Sequence, residues 1–179
     1  ERKLDPHFYQ ERWVNEMLYI VAAWRPAWVL PFDADEIFIP CTRPTLAEEL
    51  HSTQQGVLRA AIWPHASIER RTARPTPLTK VVFSWRPGCA IAVGAHEVWG
   101  HPGPEIGGRI EVRERGYLSE EHFIAKTKKH LDARRPECPS NRSVQFWERR
   151  NMSRAQLAQT YETWRRQASA VHDPIPLKQ

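Results

Sequence analysis

The stretch Trp28-Val29-Leu30-Pro31-Phe32-Asp33-Ala34-Asp35-Glu36-Ile37-Phe38-Ile39 joins an apolar run, three carboxylates within four residues, and a second apolar run. A short continuous apolar run is typical of a strand that is buried on both faces. Residues just past the carboxyl end of such a strand line the crevice of an open α/β sheet. The stretch therefore predicts an α/β fold in which Asp33, Asp35 and Glu36 face a cleft.

A helix is predicted directly before this stretch. Asp5-Pro6 has the residues of a helix start, with an N-cap followed by proline in the first turn, and the helix is expected to end near Ala23. Apolar residues at helical spacing support it: Phe8, Val14, Met17, Leu18, Val21 and Trp24. A helix that leads into a buried strand indicates an αβ unit whose first strand lies before residue 1. We therefore expect a fold that is incomplete at its N-terminus.

The remaining sequence predicts an alternation of strands and helices. In chain order we predict a helix over 45–54, strands over 57–63, 80–85, 89–93 and 109–115, and helices that begin at Ser119 and Ser153. Residues 94–108 contain several glycines and prolines, which predicts a loop. We predict one catalytic region over 1–133, followed by a linker and a helix over 134–179.

Three carboxylates this close together repel one another unless a cation lies between them. Oxygen ligands of this kind suit Mg²⁺ or Mn²⁺, which in turn bind phosphate oxygens. Asp33 and Asp35 are therefore candidate metal ligands. The alternative interpretation of Asp33-Ala34-Asp35-Glu36 is an acidic turn in contact with water.

Four segments resemble family 2-like glycosyltransferases. Residues 28–38 resemble the W-hydrophobic-D-A-D-E-F stretch of that group. Lys80-Val81-Val82-Phe83 resembles its K-hydrophobic-hydrophobic strand, and Gly94-Ala95-His96-Glu97-Val98 resembles its G-N-H-D-V segment. Residues 117–126 resemble its Y-R-S-x-E-Q-F-x-x-K helix start. The matches keep their order and span roughly residues 10 to 130, so they favour one common family over four chance similarities.

The resemblance implies a GT-A fold, which is a Rossmann-like mixed sheet flanked by helices, and transfer of a sugar from a nucleotide-sugar donor. It implies that Asp33 binds the donor and that Asp33, Asp35 and His96 hold Mn²⁺ or Mg²⁺. An inverting transferase also needs a carboxylate that takes the proton from the acceptor hydroxyl. Glu97 and Glu36 are the first candidates for this base. Two further candidates lie at a predicted helix start: Glu120 and Glu121.

The sequence departs from the family pattern at several positions. Ala95 replaces an expected Asn, Glu97 an Asp, and Leu118 an Arg, while Glu114-Arg115 stands near an expected His-aromatic pair. Two alternatives therefore stay open. One is a non-catalytic, degenerate transferase-like binding module, and the other is a metal-dependent phosphohydrolase or nuclease.

Composition narrows the possible partners. The formal net charge is +5, but the basic residues are scattered among 21 acidic ones, so we expect no nucleic-acid partner. Three widely spaced cysteines predict neither a disulfide framework nor a zinc site and favour the cytoplasm. No apolar run approaches the roughly 20 residues of a membrane span. The expected partners are thus a nucleotide sugar and a carbohydrate or other hydroxyl acceptor.

Overall fold

The computed structural model describes residues 10–67, 69–117, 119–132, 149 and 151–174, and for residues 10, 93 and 129–132 it describes the backbone alone. The elements follow in chain order: α1 (Gln10–Ala22), β1 (Trp28–Val29), β2 (Glu36–Pro40), α2 (Leu46–His51), β3 (Val57–Pro64), β4 (Arg70–Arg71), β5 (Thr79–Ser84), β6 (Ala90–Ile91), a 3-10 turn (Val93–Ala95), β7 (Val98–Trp99), β8 (Glu105–Glu114), α3 (Glu120–Asp132), α4 (Arg154–Gln167) and β9 (Val171–His172).

Five strands form a mixed sheet in the order β1-β5-β3-β8-β2. Strands β3 and β8 are parallel, while β5 is antiparallel to both β1 and β3, and β2 is antiparallel to β8. The carboxyl ends of β1, β3 and β8 therefore meet the amino ends of β2 and β5 at one edge, which we call the carboxyl edge. The predicted α/β class with a mixed sheet is confirmed.

Helices cover both faces of this sheet because the central strands alternate their buried side chains. Val81 and Phe83 of β5 pack with Leu18 of α1 on one face. Val82 points to the other face and packs with Leu50 of α2. This period of two is what a strand buried on both sides requires.

A third apolar cluster joins the last two helices. Phe123 of α3 packs with Leu157 and Tyr161 of α4, and Tyr117 and Trp164 contact edge to face with centroids 4.9 Å apart. Leu157, Tyr161 and Trp164 therefore form the apolar face of α4. The predicted boundary between 1–133 and 134–179 falls on residues outside the described part and stays a prediction.

Two strand predictions are corrected. The strand expected over 28–32 ends at Val29, and Phe32 is 69% exposed. Pro31 explains the early end, because proline has no N–H for a sheet ladder. The loop expected over 94–108 instead contains β7 and the first residues of β8. Gly108, with a φ of 73°, lies where the β3–β8 register shifts, so these glycines form a bulge within a strand.

The predicted helix starts at Thr45 and Ser153 are confirmed. Both residues form a capping box, Thr45 with Glu48 and Ser153 with Gln156. The predicted start of the first helix at Pro6 lies outside the described residues.

Cys41 and Cys89 are free thiols, and Cys138 is not described. None of the described helices has the length and apolar character needed to cross a membrane.

A fully buried carboxylate ties α2 to the turn after β2. Glu49 has no solvent exposure and accepts hydrogen bonds from the backbone N–H of Thr42 at 2.7 Å and of Arg43 at 3.1 Å. The Thr42 hydroxyl donates to it as well, and Arg109 Nη1 lies 3.4 Å away. We call this arrangement the Glu49 anchor. It satisfies a buried charge mainly with backbone groups.

Candidate active site at the carboxyl edge

The acidic loop after β1 is a tight turn held by its own residues. The backbone N–H of Asp33 donates to Glu36 Oε2 at 2.9 Å, and the N–H of Glu36 donates to the Asp33 carbonyl at 3.0 Å. The N–H of Arg115, just past β8, donates to the Asp35 carbonyl at 2.8 Å. The loop is therefore fixed to the carboxyl edge, where the sequence predicted it.

Lys80 of β5 is the central cation of this loop. Its side chain is 3% exposed, and Nζ lies 2.8 Å from Asp33 Oδ2 and 2.9 Å from Glu36 Oε1. A buried ammonium group needs such partners, because removal from water is costly for a bare charge. Asp33 keeps 47% of its side chain exposed, whereas Glu36 keeps 3%. Lys80 thus links a solvent-facing carboxylate to a buried one.

Lys126 of α3 binds the remaining aspartate of the motif. Its Nζ donates to Asp35 Oδ2 at 2.8 Å and to the Gly116 carbonyl at 3.2 Å, and lies 5.4 Å from the Tyr117 ring centroid. Burial alone would raise the pKa of Asp35, but the hydrogen bond and charge of Lys126 outweigh it and lower that pKa. At neutral pH Asp35 is therefore a charged carboxylate.

Glu114 is a fourth carboxylate of this site, and the sequence interpretation missed its role. It ends β8 directly opposite Glu36 of β2. Burial, then the charges of Asp35 and Glu36, raise the pKa of Glu114. Burial likewise raises the pKa of Glu36. A signal did exist: Ile110 and Val112 alternate toward the core, and that period places Glu114 on the same face.

His96 and Glu97 lie on the turn before β7. His96 Nδ1 is 2.6 Å from the carbonyl oxygen of Thr79, the residue before Lys80. A carbonyl only accepts, so Nδ1 carries the proton and any metal bond would use Nε2. Glu97 is exposed, and no described contact joins its side chain to the acidic loop. The roles predicted for both residues stay predictions.

The backbone conformation of Ala95 bears on the departure from the family pattern at this position. Ala95 has a φ of 52°, which is the left-handed region. Asparagine adopts that region more readily than alanine does. Ala95 therefore carries local backbone strain that an asparagine at this position would lower. Leu118, another departure, lies outside the described residues.

The described residues contain no group of three His, Cys, Asp or Glu side chains arranged to hold a metal ion.

Comparison of the chain with known proteins identifies no relative. No family model matches the chain, and no curated protein or solved structure is significantly similar to it. The chemistry of this site therefore rests on its own carboxylates and lysines.

Proposed function

We propose that this chain forms the metal-binding and acceptor-side part of a glycosyltransferase with a GT-A-like architecture. It would move a sugar from a nucleotide-sugar donor to a hydroxyl acceptor. The main support is one observation: Asp33, Asp35, Glu36 and Glu114 share the carboxyl edge with Lys80 and Lys126. Ligands of open α/β sheets bind at that edge.

The donor set fits a divalent cation that is shared with a substrate. Mg²⁺ is commonly held by one or two carboxylates together with substrate phosphates, so a closed protein cage is not required. Asp33 and Asp35 are the more exposed acids of the cluster and would hold Mg²⁺ or Mn²⁺, with His96 as a possible third ligand. When bound, this ion would neutralise charge on the leaving diphosphate.

The two lysines would bind the donor phosphates. Lys80 and Lys126 each donate to a carboxylate in the structure described. Both lysines would donate to donor phosphate oxygens, which are acceptors of the same kind as the carboxylates, while Lys80 keeps its ion pair with Glu36. Phosphates held in this way would orient the sugar–phosphate bond toward the acceptor.

Glu114 is the base that we favour. The acceptor O–H proton passes to the Glu114 carboxylate as the acceptor oxygen bonds to the sugar carbon and the bond to the diphosphate breaks. A raised pKa suits this task, because the base must hold a proton near neutral pH. Glu36 suits it less, since both its oxygens already accept hydrogen bonds. Glu97 stays a candidate should the acceptor approach from its turn.

Binding of a nucleotide sugar and a metal ion, measured as a rise in Tm, tests the proposal. We expect Mn²⁺ with one member of a nucleotide-sugar panel to raise the Tm of the 179-residue chain, and Asp35→Ala to abolish that rise. The apo variant should have a somewhat lower Tm, because Lys126 loses the carboxylate with which it pairs, so the readout is the rise on ligand addition. Glu48→Ala, an exposed acid outside the site, is the control. A panel without any shift in Mn²⁺ or Mg²⁺ would rule the proposal out.

A specific observation favours a second candidate, a non-catalytic binding module. Asp33 and Asp35 are already ion-paired with lysines, so the site is largely charge-balanced without a cation. Such a module would bind the nucleotide sugar with equal affinity in excess chelator and would show no transfer. Hydrolysis of a phosphoester without any acceptor would instead indicate the phosphohydrolase alternative.

A further inference from the structure

The described C-terminal residues form a latch against the sheet. Strand β9 pairs with β4, and the N–H of Asp173 donates to the Glu69 carbonyl at 2.7 Å. The Asp173 carboxylate accepts hydrogen bonds from Arg71 Nε and, at 2.7 Å, from Arg113 Nη1. We call residues 69–71 and 171–173, with Arg113, the C-terminal latch. It joins the segment after α4 to β8 through one carboxylate.

Trp63 positions the two arginines of the latch. The Arg71 guanidinium lies 3.7 Å from the Trp63 ring centroid, and the Arg113 guanidinium lies 5.8 Å from it. Trp63 and Arg113 are register partners in β3 and β8. The side chain of Arg113 is only 10% exposed, so its charge depends on acceptors within the protein.

His65 is buried beside this latch with no solvent exposure. Its Nδ1 lies 3.1 Å from the Ser67 carbonyl oxygen, which only accepts, so Nδ1 carries the proton. No described residue hydrogen-bonds to His65 Nε2. Nε2 is thus a buried acceptor without a partner among the described residues. Two buried donors of the latch, Arg113 Nε and Trp63 Nε1, also have no described hydrogen-bond partner. In this region the unsatisfied donors therefore outnumber the unsatisfied acceptors.

We propose that protonation of His65 releases the C-terminal latch. A second proton would sit on Nε2 and add one more buried donor to a region that already lacks acceptors. The charged groups that face the ring are Arg113 from β8, Arg71 from β4, and Asp173 after β9. Two carboxylates, Asp173 and the partly exposed Glu111 that lies 2.8 Å from Arg113 Nη2, would then have to balance three cations. The remaining buried positive charge needs solvent. Opening the β4–β9 pair admits that solvent.

The sign of the pH dependence agrees with this geometry. Burial, followed by the charge of Arg113, lowers the pKa of His65 in the closed latch, although Asp173 opposes the shift. In the open latch the ring regains an ordinary histidine pKa, about 6.5. The open form therefore binds the proton more readily. The free energy that keeps the latch closed is therefore largest at pH values above the pKa of the open state, and it decreases as the pH falls below that pKa.

Amide hydrogen exchange tests the proposal on the full chain. The intrinsic exchange rates are first corrected for pH. We then expect the equilibrium constant for opening, measured on peptides that cover 69–74 and 169–174, to be about tenfold larger at pH 5.5 than at pH 7.5. His65→Asn keeps a side-chain donor for the Ser67 carbonyl but does not titrate, so its latch should open equally at both values. The matched control is His51→Asn, an exposed histidine of α2, which should keep the full pH response.

Asp173→Asn gives the reference for an open latch, and its exchange should be fast at both pH values. This reference also covers the case in which His65→Asn does not fold. The proposal then requires that the exchange of the wild-type latch at pH 5.5 approaches that of Asp173→Asn. Equal wild-type protection at both values would overturn the proposal. So would slower exchange at pH 5.5, since protonated His65 would then bind Asp173 and tighten the latch.

Discussion

The Glu49 anchor and the acidic loop at the carboxyl edge both hold carboxylates against the sheet, yet Glu49 differs from Asp33 and Asp35 in its partners and its exposure. Glu49 is held by backbone N–H groups of Thr42 and Arg43, which cannot leave while the fold is intact. Asp33 and Asp35 are held by the side chains of Lys80 and Lys126, and both aspartates keep part of their surface exposed. The backbone partners of Glu49 therefore fix it within the fold, whereas the exposed surface of the two aspartates is within reach of a ligand.

The pKa shifts separate the same two regions. Although burial opposes it, the hydrogen bonds from Thr42 and Arg43 lower the pKa of Glu49, so its contribution to stability is present above the ordinary glutamate pKa and lost in acid. Burial raises the pKa of both Glu36 and Glu114, so their contribution is present in acid and lost as the pH rises. Stability at neutral pH is thus gained at the anchor and given up at the candidate site.

The largest effect should come from Glu49→Ala. We expect the free energy of unfolding to fall by about 3 kcal/mol, because Thr42, Arg43 and Arg109 lose a buried charged acceptor. Urea denaturation followed by tryptophan fluorescence measures it. Glu48→Ala, which removes an exposed acid of the same helix, should cost only about 1 kcal/mol as a lost cap. If the two variants lowered the free energy of unfolding equally, the buried Glu49 would contribute no more to stability than an exposed acid of the same helix.

Lys80→Met should have an intermediate effect. We expect a loss of about 2 kcal/mol at pH 7.5, since Glu36 would be a buried, unpaired charge while half-exposed Asp33 is relieved by water. Most of the loss should be recovered at pH 4, where Glu36, whose pKa is raised by burial, is protonated. Urea denaturation at the two pH values measures this, with exposed Lys128→Met as the control. An equal loss at both values would mean that packing of Lys80, and not its charge, carries the effect.

Glu114→Gln should have the smallest effect, and it should be favourable. The free energy of unfolding should rise by about 1 kcal/mol at pH 7.5, because a like charge opposite Glu36 is removed. The gain should vanish at pH 4, where Glu114 is protonated in any case. Glu49→Gln is the matched comparison and should destabilise at pH 7.5. If Glu114→Gln also destabilises there, Glu114 belongs with the anchor and not with a reactive site.

Local signals predicted the elements well and the site only in part. The capping box at Thr45, the cap at Ser153 and the strand over 57–63 follow from neighbouring residues, and each is present with small shifts of its ends. Lys80 and Lys126 lie 47 and 91 positions from the aspartates that they bind. No spacing rule connects residues that far apart, so their pairing depends on the topology of the sheet.

The role of Glu114 was missed for the same reason. Only the register of β2 against β8 brings it opposite Glu36, and that register joins segments more than 70 positions apart. The bulge at Gly108 also hid the start of β8, because two adjacent glycines resemble a loop in a single sequence. Once a strand is assigned to 105–114, its period of two predicts the face of Glu114 from sequence alone.

The place of β8 in the sheet sets the order in which the chain can fold. Strand β8 is the only link between β2 and β3 within the described sheet, and it follows β3 by 40 residues as a parallel neighbour. Parallel pairing across such a separation is slow, because loop-closure entropy is lost before any contact forms. Within the described sheet β2 pairs only with β8, so we expect β2 to join the sheet after residues 105–114 have done so. In that order, the repulsion between Glu36 and Glu114 would act on the rate of unfolding more than on the rate of folding.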